Sequence, residues 1–118
     1  MSDTSAASAF GFPGTTAEQI AMKITGTGPT VFAGDAASAQ QVAWFQVTER
    51  AGGTASLTID LFDGTTAYII NNLAAMTARG EYLYGRGFWL PPGWFLRVTT
   101  GSANQVDVVG LATIPARL

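Results

Sequence analysis

The stretch Ser56–Asn71, SLTIDLFDGTTAYIIN, decides the fold class. Its first half alternates strictly. Leu57, Ile59 and Leu61 fall on one side, and Ser56, Thr58 and Asp60 on the other. That period of two belongs to a half-buried strand rather than a helix. Asp63-Gly64 then interrupts it at the length of a tight turn, because Gly, and tolerably Asp, accepts the positive φ of hairpin turns. Thr66–Asn71 returns as the second strand, with Tyr68 and Ile70 facing its partner.

Outward from this hairpin the same period continues. Gln19–Thr25, Thr30–Ala33 and Gln41–Glu49 precede it; Glu81–Tyr84, Phe88–Leu90, Trp94–Thr100 and Gln105–Thr113 follow. Asp35–Gln40 is the one stretch that could turn helically, and it is too short to hold a helix by itself. Leu73–Ala78 reads as a loop or crossover. Pro91-Pro92-Gly93 is a turn, since Pro fixes φ and Gly takes the left-handed position. About eight strands separated by turns every 8–12 residues or so predict an all-β fold, a single antiparallel β-sandwich of jelly-roll type.

Residues 1–17 are small, polar and rich in Gly, Ser and Ala, with Phe10 and Phe12 as the large apolar groups. We expect an extended N-terminal arm over 1–17 and a sandwich domain over 18–118. Such an arm either grips a partner through Phe10 and Phe12 or folds back on its own domain.

Apolar residues make up 47% of the 118, whereas charged residues make up only 12%, about half the usual share. A surface this poor in charge is covered by small polar residues or buried against another chain. Six Lys and Arg stand against eight Asp and Glu, a net charge of −2, and the basic residues are scattered. Without a basic stripe, nucleic acid and anionic membranes are not expected partners. No apolar run approaches the roughly 18 residues of a membrane span. Nor does the start of the chain resemble a signal peptide, so the expectation is a protein made and used without export.

There is no His and no Cys. The commonest general base, the thiolate nucleophile and most transition-metal sites are therefore missing. A carboxylate pair drawn from Asp60, Asp63, Glu81 and Asp107 would be the remaining route to catalysis. However, Asp63 is explained by its turn, and Asp60 and Asp107 read as solvent-facing strand positions. Asp60-x-x-Asp63-Gly64 lacks the acidic density of a calcium loop. The expectation is no enzyme, no metal and no cofactor.

Aromatic residues carry more information. Trp44 and Phe45 are adjacent on a strand, so one points away from the core unless a bulge turns both inward. Trp89, Trp94 and Phe95 pose the same conflict. Large rings on the outside of a charge-poor domain mark an interface. Trp44 or Phe45, together with Trp89 and Trp94 or Phe95, are the expected subunit contacts. Trp89, Trp94, Tyr82 and Tyr84 on one face would alternatively form a stacking platform for sugar rings.

Three segments in order, Asp63-Gly-Thr-Thr-Ala-Tyr68, Trp89-Leu-Pro-Pro-Gly-Trp-Phe-Leu-Arg-Val98 and Ser102-Ala-Asn-Gln-Val-Asp-Val-Val-Gly110, resemble small virion proteins of tailed bacteriophages. The resemblance spans residues 41–112 or so. It implies a β-sandwich subunit of a phage particle, made in the bacterial host cytoplasm. The first expectation is a capsid decoration (cement) protein on the capsid surface, a homotrimer bridging copies of the major capsid protein. A head–tail connector or tail-associated ring protein, and a carbohydrate- or receptor-binding module of a fibre, are the alternatives.

Overall fold

A computed structural model of the chain describes residues 17–113. Nine strands follow one another: β1 (Ala17–Ile24), β2 (Thr30–Gly34), β3 (Gln40–Glu49), β4 (Leu57–Phe62), β5 (Ala67–Leu73), β6 (Glu81–Tyr84), β7 (Phe88–Leu90), β8 (Phe95–Thr100) and β9 (Val106–Thr113). The described residues form no helix, and none is long and apolar enough to cross a membrane. Asp35–Ala39 is a bend, closed by the Ala37 N–H donating to Asp35 Oδ2 at 3.1 Å.

The strands make two antiparallel sheets. In the first, β1, β9 and β3 lie side by side, and β6 and β7 both pair along the far edge of β3. β6 and β7 thus behave as one strand interrupted at Gly85-Arg86-Gly87, which leaves eight strands in effect. The second sheet runs β2-β8-β4-β5. Every long connection passes between sheets, and the first and last strands are neighbours, with Ala17 paired to Thr113. This interleaving is the jelly roll.

The 57–73 hairpin forms as its alternation demands. Gly64 takes φ +98°, and the Asp63 N–H donates to the Thr66 carbonyl at 3.2 Å. Asp63 Oδ1 in turn accepts from the N–H groups of Thr66 (2.7 Å) and Thr65 (2.9 Å). Those two donors hold its carboxyl below the usual aspartate range.

Phe45 is fully buried at the centre of the core. Its ring stacks on Tyr84 at 4.6 Å and packs tilted against Phe32 at 4.9 Å and Phe88 at 5.7 Å. Leu57, Ile59, Leu96 and Val98 supply the second sheet's side of the same core. Full burial of each such side chain contributes about 1.5–3 kcal/mol.

A bulge between Val42 and Trp44 shifts the phase of β3, so that Val42 and Phe45 both point inward and Trp44 points out. Gly110 on β9 makes room for it. A Cβ there would stand 2.6 Å from the Trp44 carbonyl oxygen.

At the end of β3, buried Glu49 turns inward and binds backbone rather than a cation. Its carboxylate accepts N–H groups from Arg79 (2.8 Å), Gly52 (2.8 Å) and Ala51 (3.1 Å). This joins the β3–β4 loop to the loop before β6. Asp60 departs from the sequence expectation. It is buried rather than solvent-facing, because Arg97 on β8 lies directly opposite and pairs with it at 2.8 Å.

Candidate interaction surface

The outer face of the first sheet divides into two ends. Register places Lys23, Asp107, Thr48 and Glu81 in one row across β1, β9, β3 and β6. This end is polar, with Asp107 Oδ1 lying 3.5 Å from both Lys23 Nζ and Arg50 Nε. The next outward rows are Ala21, Val109, Gln46 and Leu83, then Gln19, Leu111 and Trp44. Trp89 on β7 stands opposite Gln41 beyond them. That end is apolar: Leu83 is 66% exposed, Trp89 60% and Trp44 36%.

Alternation explains why these side chains face out. In Glu81–Tyr84, Tyr84 stacks on Phe45 and Tyr82 packs against the core, which leaves Leu83 on the opposite face. In β7 the buried Leu90 and the core-packed Phe88 fix Trp89 outward in the same way. Three large apolar side chains on one face of a small sheet are more than the scattered exposure of an ordinary monomer surface.

The expected contact residues do not gather in one place. Trp44 and Trp89 share the face just described. Phe45 leaves the set, because its side chain is wholly inside. Trp94 lies half-buried at the turn before β8, stacked parallel on Tyr68 at 6.0 Å. Phe95 sits on the outer face of the second sheet, opposite Phe62. Phe10 and Phe12 lie outside the described residues, as does the 1–17 arm except for Ala17.

Sequence reasoning did not single out Leu83, nor Ile69 and Val31, which are exposed on the second sheet's outer face beside the Asp60–Arg97 pair. The signal for Leu83 was present in the phase of Tyr82 and Tyr84. For Ile69 it was hidden by a bulge in β5 near Ile70, which shifts the pairing between Ile59 and Asp60.

The sugar platform is not assembled as expected. Tyr84 points inward and accepts a hydrogen bond from Asn71 Nδ2 at 2.7 Å, and burial pushes its hydroxyl above the usual tyrosine range. The Tyr82 hydroxyl accepts the Thr77 N–H at 2.8 Å. Neither ring shares a face with Trp89. Of the acidic residues, Asp60 is committed to Arg97 and Asp63 to its turn, while Asp107 and Glu81 lie on the polar row. Among the described residues no group of three or more acidic side chains is placed to hold a metal ion.

No protein-family model matches the chain, and no curated protein matches it. Among solved structures it is similar to the Drosophila NLP-core, described for pentamer formation and histone binding. That likeness is 14% identical with a TM-score of 0.54, over 85% of this chain and 99% of that one, and it shows a shared fold. The chain is also similar to a pentameric capsid protein from metagenomic phage sequences (21% identity, TM-score 0.46), covering 84% of this chain and 62% of that one. It therefore spans less than two-thirds of that protein's length. A further likeness is to the Tobacco streak virus coat protein, at 12% identity and TM-score 0.40 over 86% of this chain and 87% of that one.

Proposed function

We propose that this chain is a non-enzymatic structural subunit of a virus particle, a decoration protein that binds the outside of an assembled shell of major capsid protein. The observation that carries the reading is the apolar end of the first sheet's outer face, where Trp44, Leu83 and Trp89 stand exposed. In a chain with 12% charged residues that face is built to be covered. Covering it against capsid protein gains about 25 cal/mol for each Å² of apolar surface removed from water. Repetition over a symmetric shell multiplies a modest contact into firm attachment. Residues 1–17 act in this reading as an arm whose Phe10 and Phe12 extend the contact, and residues 18–118 as the sandwich. The subunit works as a homo-oligomer, with three copies the expected order.

The test is reconstitution. Purified protein is added to shells assembled from the major capsid protein of the phage that encodes it, and bound copies are counted and located by electron microscopy. Wild-type protein is expected at local threefold positions, and Trp44→Ser with Trp89→Ser is expected to lose most of the binding while melting unchanged. Localisation to a sixfold or twelvefold ring at the neck would replace the decoration role. Binding unaffected by the two substitutions would remove this face from the contact.

A further inference from the structure

Among the described residues the first sheet has two unpaired edges, β1 on one side and the β6–β7 segment on the other. Each carries two charges with the same spacing and order. On β1, Glu18 precedes Lys23 by five residues, and on the other edge Glu81 precedes Arg86 by five. Laid parallel with the two glutamates level, the two edges would set Glu18 against Glu81. Laid antiparallel, the register that sets Lys23 opposite Glu81 also sets Ala21 opposite Leu83; beyond β6 the edge breaks at Gly85-Arg86-Gly87, and the sheet's rows bring Glu18 level with Phe88 rather than Arg86.

The fold demands the antiparallel sense. β1, β9, β3 and β6 alternate in direction across the sheet, so the next β1 added beyond β6 runs opposite to it. The register also matches the sheet's own rows. Lys23 and Glu81 already share one row within a single copy, and Ala21 and Leu83 share the next. Faces agree as well. Lys23, Glu81, Ala21 and Leu83 belong to the outer face, whereas Ile20 is buried inward and Tyr82 and Tyr84 pack against the core.

The charges on these edges are largely unspent. Glu81 and Arg86 form no ion pair or hydrogen bond with their side chains among the described residues. Lys23 is 65% exposed in its side chain and reaches Asp107 only at 3.5 Å. Glu18 accepts one hydrogen bond, from Gln40 Nε2 at 3.0 Å.

From this complementarity we infer that a second copy of the chain docks edge to edge, β1 of one copy pairing with β6–β7 of the next. The first sheet then runs continuously from subunit to subunit. The contact is heterologous, because it joins two different edges, so it builds a ring or a filament rather than a twofold dimer. Main-chain hydrogen bonds supply the strength, and the Lys23–Glu81 pair marks direction and register. This inference rests on the self-association in the proposed function and names its surface.

The absence of native cysteine makes the test clean. Directly opposed residues of an antiparallel pair have Cα atoms about 4.5–5.5 Å apart, within disulfide range. Ala21→Cys protein mixed with Leu83→Cys protein under mild oxidation is expected to give the mixed dimer far in excess of either homodimer. A chain carrying both substitutions is expected to give a covalent ladder or closed ring. In parallel, Lys23→Glu or Glu81→Lys alone is expected to weaken self-association about tenfold by sedimentation, through an attraction lost and a repulsion gained. The combined swap is expected to restore it.

Homodimers forming as readily as the mixed dimer, a combined swap as weak as either single change, or a wild-type chain monomeric at high micromolar concentration would each overturn the inference. The two proposals fail separately. Crosslinked rings that ignore capsid shells leave the edge pairing standing and remove the decoration role; shell binding without the mixed crosslink does the reverse.

Discussion

Arg97 and Asp60 face each other across β8 and β4, with Nε 2.8 Å from Oδ1 and Nη2 3.3 Å from Oδ2. The guanidinium carbon also lies 3.8 Å from the centre of the Phe62 ring. The pair sits on the outer face of the second sheet, yet only 17% of the Arg97 side chain and 6% of that of Asp60 meets solvent. A fork-to-fork pair of this kind is held by geometry, and its energetic value depends on what is removed.

Replacing one partner leaves a buried charge without compensation. Arg97→Met is expected to lower unfolding free energy by about 3–5 kcal/mol, whereas Asp60→Leu combined with Arg97→Met recovers most of that loss. Urea denaturation of the single and double variants measures both. A double variant as unstable as the single one would show that the pair itself, rather than the orphaned carboxylate, supplies the stability.

Gly110 is where β9 passes the bulge of β3. Gly110→Ala brings a methyl group to 2.6 Å from the Trp44 carbonyl oxygen and 2.9 Å from Phe45 Cβ. Backbone has to move there, at a cost of about 1–3 kcal/mol. The variant is expected to melt earlier, with the tryptophan emission of Trp44 altered in the folded state.

Acid acts on Glu49. Hydrogen bonds from backbone donors, that of Arg79 foremost and those of Gly53, Gly52 and Ala51 after it, hold its carboxyl below the ordinary glutamate range against the opposing effect of burial. A carboxylate with a lowered folded pKa contributes stability that is fully present above its unfolded value, about 4.3, and lost as pH falls through the folded value. Glu49→Gln is therefore expected to be less stable than wild type at pH 7 and to lose less on going from pH 5 to pH 3. Denaturation midpoints at the three pH values give the comparison.

Three tryptophans report on the proposed contact. In the isolated protein, acrylamide is expected to quench Trp89 most and Trp44 next, with Trp94 protected by Tyr68. Single Trp→Phe variants assign the components. On binding to shells, the Trp89 and Trp44 components are expected to become protected while Trp94 changes little; unchanged quenching would place the contact on another surface.

Most of the sandwich was legible because alternation and turn chemistry agree. Leu57–Phe62 and its Asp63-Gly64 turn carry their own instructions, and the buried Leu57 and Ile59 follow from period alone. Legibility failed where a bulge resets the phase. Ala43 shifts β3, so no fixed period could assign Trp44 and Phe45 to sides, and the inward choice fell to Phe45 because Tyr84, Phe88 and Phe32 surround that position. Asp60 misled for another reason. Alternation assigned its side of the strand correctly, but its burial depends on Arg97, thirty-seven residues away and joined only by the sheet. The candidate interaction face needed strand order as well, since Trp44, Leu83 and Trp89 become neighbours only when β6 and β7 align on β3.

The pairing of Ala17 with Thr113 means that the described chain starts and stops at the same corner. A short engineered turn replacing residues 114–118 and 1–16 would convert β9 and β1 into an ordinary hairpin and close the sandwich into a circle. New ends could then be opened at Gly101–Asn104 without unthreading the sandwich, which makes circular permutation a practical way to move a fused cargo from one corner of the domain to another.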